Sequence, residues 1–199
     1  MKTNLVLFDF DGTITRKDSF IEFIKFYKGY PSFVTGFIVL SPLLLLYKIG
    51  LIKKRKAKES VLTYFFKNEP FKKFSLKSAE FSTKIIPQLL KPIAIATLKD
   101  HISKGDRVII ISASFENWLS GWCELMNLEL IGTKIEVSNG LVTGKIEGRN
   151  CYGIEKVIRL KQYLDIGQFS EIFAYGDSNG DKAMLELANH RFYRYFNKG

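Results

Sequence analysis

Cysteine is nearly absent from this chain: two among 199 residues, Cys123 and Cys151, with no CxxC pair. That scarcity excludes a disulfide framework and a zinc knuckle, and it fits a reducing compartment. The two histidines, His101 and His190, stand alone in the sequence and read as surface or packing residues, because histidine ligands come with nearby partners. Internal repeats and low-complexity tracts are lacking. Only four consecutive apolar residues, Leu5 to Phe8, precede Asp9, too few for the apolar region of a signal peptide, so a cytoplasmic location is expected. The length is short for two independent domains and sufficient for one core carrying an insertion. An apolar share of 46% and a charged share of 25% exclude wholesale disorder.

What the chain has in excess is positive charge, and the excess is local. The net charge is +10, and the stretch from Lys48 to Lys77, with ten Lys/Arg and two Glu, carries +8 of it. Anionic partners are attracted to such a stretch.

Short apolar runs at 4–8 (NLVLF), 107–111 (RVIII) and 171–175 (EIFAY) have the character of strands covered on both faces of a parallel sheet. Each is followed by small or polar residues and then by a helical pattern; helices are predicted over 98–106, 116–127 and 153–165. The alternation predicts an α/β fold with a doubly wound parallel sheet, whose ligands bind beyond the carboxyl ends of the strands. Asn139-Gly140, between runs of Ile, Val and Leu, predicts a β-hairpin over 133–148. From 17 to about 90 no parallel strand is evident and helix formers dominate. We read 17–90 as an all-helical cap inserted after the first strand, with 1–16 and 91–199 forming the catalytic core.

The string DFDGT (9–13) ends the first strand in two carboxylates, Asp9 and Asp11, that repel each other unless a cation or a shared proton intervenes. Hard oxygen ligands suit Mg²⁺, which takes one or two carboxylates plus a substrate phosphate. An Asp-Gly turn is the plain alternative. With Asp and Thr each at about one residue in twenty and Gly at about 7%, however, DxDGT arises by chance roughly once in 500 chains of this length. Ser112 directly follows the second strand, and Asp177 and Asp181 follow the third in GDSNGD (176–181). Alone, each is an ordinary turn or capping residue; together they place carboxylates and a hydroxyl at one sheet edge. Lys156, near the start of a predicted helix, reads by itself as a solvated lysine, although a phosphoryl-transfer site needs one such cation to offset the carboxylates.

The ordered set DFDGT (9–13), SAS (112–114), GIEK (153–156) and GDSNGD (176–181) resembles the four motifs of the haloacid dehalogenase superfamily of phosphotransferases, over nearly the whole chain. A helical insertion after the first motif resembles the branch that includes phosphoserine phosphatase. The resemblance implies a Rossmann-like core and a Mg²⁺-dependent phosphomonoester hydrolase working through an aspartyl-phosphate. It implies Asp9 as nucleophile and Asp11 as general acid/base. Asp9, the Phe10 carbonyl and Asp177 would hold Mg²⁺, with Asp181 supporting the metal site. Ser112 and Lys156, with Gly12, Thr13 and Ala113 of the same motifs, would bind phosphate. Asp18 falls where phosphoserine enzymes place a cap-proximal Glu that reads the substrate amine.

Residues 31–47 run 17 positions without a charge and are followed by KKRK (53–56). A transmembrane reading fails: 17 helical residues reach about 25 Å, less than the ~30 Å hydrocarbon core, and Ser41-Pro42 interrupts them. A span would also separate Asp9 from Ser112, Lys156 and Asp177. What remains is a buried helical pair in the cap, or a shallow interfacial hairpin in which 31–58 contacts anionic lipid peripherally at the inner membrane surface. The first suits a small phosphorylated metabolite. The second suits a phosphorylated lipid, and some members of the branch resemble phosphatidylglycerophosphatases. A third reading makes the basic stretch, with Tyr64, Phe65, Phe66, Phe71 and Phe74, a nucleic-acid or membrane surface on an idle scaffold. Near-helical spacing of those aromatics favours cap core, and competent residues at every catalytic position disfavour idleness, so no nucleic acid is expected.

Overall fold

The computed structural model describes residues 3–197. Its centre is β1 (Leu5–Phe8), buried at all four positions. Strand geometry sends alternate side chains to opposite faces, and both faces are covered. Val6 and Phe8 join the cluster that contains Phe23, Phe66 and Trp118, whereas Leu5 and Leu7 join Ile109, Leu160 and Met184 on the other side. A near-continuous apolar run is the signature of that environment.

The chain continues through α1 (Ser19–Lys28), α2 (Tyr30–Lys48), α3 (Lys54–Phe66), α4 (Phe71–Lys84), α5 (Ile86–Leu89) and α6 (Pro92–Ser103) before β2 (Arg107–Phe115). Then follow α7 (Glu116–Leu125), β3 (Glu129–Ser138), β4 (Leu141–Glu147), α8 (Ile154–Tyr163), β5 (Ile172–Gly176), α9 (Lys182–Leu187) and β6 (His190–Tyr193). One six-stranded sheet has the order β4-β3-β2-β1-β5-β6. β1 pairs in parallel with β2 and β5, β2 with β3, and β5 with β6; only β4 runs antiparallel. The α/β expectation is met.

Three elements differ from the sequence reading. The predicted hairpin over 133–148 is longer on its first arm: β3 starts at Glu129 as a parallel partner of β2, then pairs with β4 beyond a register shift. Its turn is at Asn139 and Gly140, both with positive φ (51° and 73°), as a two-residue hairpin turn requires. The edge strand β6, four residues of alternating burial, was not anticipated; it is too short and too polar to register as a buried run.

The third difference corrects the cap. Residues 31–47 form neither a buried helical pair nor a hairpin; they lie in the single helix α2, with Pro42 inside it. Proline has no N–H to give to the carbonyl four residues back. Here that carbonyl, Ile38 O, accepts the Ser41 hydroxyl at 2.7 Å instead, so the helix continues. One face of α2 packs inward through Gly36, Phe37 and Leu40, where a β-carbon on Gly36 would fall 2.3 Å from the Phe65 ring. The opposite face is open: Ile38 is 67% and Leu45 61% exposed.

The cap aromatics are packed as expected, with Phe65, Phe66 and Phe74 buried and Tyr64 at the edge. Phe23 of α1 stacks on Trp118 of α7 with ring centroids 4.5 Å apart and also meets Phe66, Phe74 and Phe81. The cap is further bonded to the hairpin: Asn68 N donates to Val142 O, Phe71 N to Gly140 O, and Thr63 Oγ1 to Gly144 O.

Candidate active site

The carboxyl ends of β1, β2 and β5 meet under the cap: Asp9 and Asp177 directly follow β1 and β5, whereas Ser112, expected just after the second strand, lies within β2, which runs on to Phe115. Asp9 remains tied to the sheet, its N–H donating to Tyr175 O at 2.9 Å. Lys156, in the first turn of α8, places Nζ 2.6 Å from Asp9 Oδ1 and 2.6 Å from Asp181 Oδ1. All three side chains are buried. The second oxygen of Asp181 accepts the Asp177 and Ser178 N–H groups and the Ser178 hydroxyl, which fixes the GDSNGD loop.

Carboxylate oxygens of Asp9, Asp177 and Asp181 lie within 4.8 Å of one another. Three carboxylates therefore face one ammonium. Burial pushes Asp9 up to about 6 against the pull of Lys156, with Asp181 and Asp177 adding to the rise. Burial and Asp181 likewise raise Asp177. For Lys156 burial works downward, but Asp9 and Asp181 outweigh it and hold the ammonium well above its ordinary range. Burial would raise Asp181, yet Lys156 and the Ser178 donors bring it below the usual carboxylate value. The Asp177 carboxylate accepts no hydrogen bond among the described residues. A cluster of hard oxygens with uncompensated charge is the donor set that Mg²⁺ takes. Gly12 makes room for it: φ is +81°, and a β-carbon there would fall 2.2 Å from Asp177 Oδ2.

Asp11 is held separately. Oδ1 accepts the Ser19 N–H at 2.7 Å, and Oδ2 accepts the Ser114 hydroxyl. Ser19 and Ser114 share a 2.8 Å hydrogen bond, and Trp118 Nε1 donates to Ser19 Oγ. Burial pushes Asp11 up to about 7, helped by the nearby Asp18 carboxylate and opposed by the Ser114 and Ser19 bonds.

Several predicted site residues sit differently from the expectation. The Phe10 carbonyl accepts from Ile14 N, Thr15 N and the Thr15 hydroxyl, so it is consumed by the turn and does not offer itself to a metal. The next carbonyl, that of Asp11, accepts nothing among the described residues. Asp18 caps α1, its Oδ1 accepting from Phe20 N and Ile21 N; half of the carboxylate is thereby spent on the helix. Thr13 donates to Asp9 Oδ2 at 3.3 Å, and Ser112 Oγ accepts the Ser114 N–H at 3.0 Å. The Ala113 carbonyl accepts from Thr133 Oγ1 and from Lys58 Nζ.

Lys58 escaped the sequence reading, which counted it only as part of the basic stretch. It also donates to Asn150 Oδ1 at 3.1 Å and lies 4.1 Å from the Phe115 ring centroid. Burial lowers it from 10.5 to about 7, against the raising influence of Asp11 and Asp18. A signal was present: Lys58 precedes Val61 and Leu62 by three and four residues, on the apolar stripe of α3. Asn150, Thr133 and Ser19 carried no such signal.

Asp9, Asp11, Ser112, Lys156, Asp177 and Asp181 line one cavity of about 350 Å³, together with Asp18, Lys58 and Asn150. Its floor is Asp9, Asp11, Ser112 and Lys156; Lys54 and Lys58 stand at the side, and Phe37, Leu44 and Tyr47 of α2 form an apolar wall.

A family model described as haloacid dehalogenase-like hydrolase matches residues 6–186. The chain belongs to the haloacid dehalogenase-like hydrolases. It is 34% identical over 196 residues to Protein CicA of Caulobacter vibrioides, covering 96% of this chain and 86% of that one. Among solved structures of similar fold, a protein of unknown function from Bordetella pertussis Tohama I superposes with a TM-score of 0.80 at 26% identity, covering 94% and 88% of the two chains. A substrate-bound phosphoserine phosphatase superposes with a TM-score of 0.69 at 20% identity, covering 97% and 86%. The family assignment makes this chain a hydrolase, and the superposition shows that it has the α/β fold of phosphoserine phosphatase.

Proposed function

We propose that the chain is a Mg²⁺-dependent phosphomonoester hydrolase acting on a small phosphorylated substrate through an aspartyl-phosphate on Asp9. The observation that carries this reading is the buried Asp9, Lys156 and Asp181 triplet beside an independently held Asp11. Asp9, Asp177 and Asp181 would hold the ion, Asp181 while bonded to Lys156. Bound there, Mg²⁺ would neutralise phosphate charge and orient the ester.

The chain's own residues supply the rest. Lys156 fixes the Asp9 carboxylate and adds positive charge where the phosphoryl oxygens gather. A carboxylate oxygen of Asp9 attacks phosphorus; as the new O–P bond forms, the bond to the leaving oxygen breaks and Asp11 gives that oxygen its proton. Ionised Asp11, held by Ser19 and Ser114, then takes a proton from a water whose oxygen attacks phosphorus. That step releases inorganic phosphate and restores Asp9. Ser112 and the backbone of Gly12, Thr13 and Ala113 are the proposed phosphate cradle. We place the core at 1–16 and 91–199 and the cap at 17–90, and the two buried free thiols are consistent with a cytoplasmic location.

A second reading of the substrate has its own support. The apolar wall of Phe37, Leu44 and Tyr47 favours an ester with an apolar portion, such as a phosphorylated lipid. The test is phosphate release from an aryl phosphate with and without Mg²⁺, followed by a screen of small phosphomonoesters and phospholipids. Borohydride trapping with peptide mapping then locates the acyl phosphate. Label on a residue other than Asp9, or turnover indifferent to chelation, refutes the proposal.

A further inference from the structure

The outer face of α2 is apolar and has no partner in the fold. Ile38, Val39, Leu45, Leu46, Ile49 and Leu51 are between 40% and 72% exposed. Spacing of 38, 45 and 49 puts their side chains along one side of the helix, opposite the inward Gly36 and Leu40. From the residue after Glu22 to the one before Glu59 the chain has no acidic residue and eight Lys or Arg. Lys25, Lys28 and Arg55 are neutralised by Glu22, Glu69 and Glu59. Lys48, Lys53 and Lys56, at the end of α2 and the start of α3, are exposed and make no ion pair among the described residues.

We infer that this face is a docking surface for an anionic lipid bilayer, with α2 lying in the plane of the interface. An exposed apolar helix face with unpaired lysines at its end binds where acyl chains and negative headgroups occur together. A second copy of the chain is a poorer occupant, because a two-fold contact sets the same patch against itself and would oppose two clusters of like charge. A transmembrane span is excluded by the inward face: Gly36 sits against the Phe65 and Tyr64 rings of α3, closer than any lipid chain could intervene. Docking brings the cavity, walled by the inner side of the same helix, within about 10 Å of the headgroups, one helix diameter.

The test uses the full chain in co-sedimentation with vesicles of phosphatidylcholine alone or of phosphatidylcholine with phosphatidylglycerol. Binding is expected only to the second, and is expected to weaken with salt. Lys53→Gln with Lys56→Gln should weaken it about thirtyfold, roughly fivefold per lysine, and Ile38→Glu with Leu45→Glu should abolish it. Lys99→Gln with Lys161→Gln, outside the patch, should leave it unchanged. The substituted lysines, Ile38 and Leu45 are exposed, and a thermal melt verifies that each variant is folded. Docking does not require the proposed chemistry: Asp9→Asn should bind as wild type does, so a failure of the hydrolase reading leaves this one standing. Absence of binding at low salt, or binding insensitive to both paired variants, overturns it. So does a dimer that Ile38→Glu dissociates, which would give the face to a second copy.

Discussion

Gly12 and Asp177 are packed so closely that a β-carbon on Gly12 would lie 2.2 Å from Asp177 Oδ2. The contact joins the turn after β1 to the turn after β5. Gly12→Ala must move Asp177 and also hold alanine at φ +81°, a strain of about 1–2 kcal/mol. We expect a lower melting temperature and a Mg²⁺ requirement shifted to higher concentration. A variant with unchanged Mg²⁺ dependence would separate Asp177 from the metal site.

Asp9→Asn keeps the volume and removes the nucleophilic charge. Turnover is expected to vanish while the circular dichroism spectrum persists. Phosphatase activity within about tenfold of wild type, against the far larger loss expected for a covalent nucleophile, sinks the assignment.

Magnesium should stabilise the folded protein independently of catalysis, because three carboxylates face one ammonium. At a hundredfold excess over its dissociation constant, one bound ion adds about 2.7 kcal/mol. A melting temperature that does not rise with Mg²⁺ and does not fall with chelator counts against the site.

Lys58 provides the pH dependence. Its folded value of about 7 lies below the ordinary 10.5, so between these two the unfolded chain holds a proton that the folded chain has released. Stability rises with pH where the unfolded state binds more protons. Wild type should therefore gain stability relative to Lys58→Met as pH increases from about 7 towards 10.5, with the full burial penalty present below that window. Parallel melting curves of the two proteins across it would show that Lys58 stays charged.

Phe23 couples cap to core through Trp118. Phe23→Ala leaves a cavity among Phe66, Phe74 and Phe81 and should cost about 3–5 kcal/mol. A loss under about 1 kcal/mol, measured by urea denaturation, would mean that the cap closes over the gap.

The sheet centre was legible because a strand buried on both faces needs an unbroken apolar run, and β1, β2 and β5 have one. Asp9, Asp177 and Asp181 could be read because their motifs directly follow β1 and β5, and Lys156 because GIEK falls between the SAS and GDSNGD motifs in chain order. What escaped depends on contacts between distant segments. Asn150 meets Lys58 across 92 positions of sequence, and no local pattern records that. Phe10 was misassigned because carbonyl direction is set by the turn: three donors claim its oxygen. The form of α2 turned on one hydroxyl, since without Ser41 the proline would be a plausible break.

The cap is fastened unevenly. α1 reaches the core through Ser19, α3 and the turn after it through the hairpin, and α4 through Ser82, which accepts the Trp122 N–H. Among the described residues no hydrogen bond joins α2 to the sheet. Side-chain packing alone keeps Phe37, Leu44 and Tyr47 over the cavity. Of the elements that line the cavity, α2 is therefore the one whose hold depends on the fit of its side chains, with Gly36 against the Phe65 and Tyr64 rings, rather than on any directional bond.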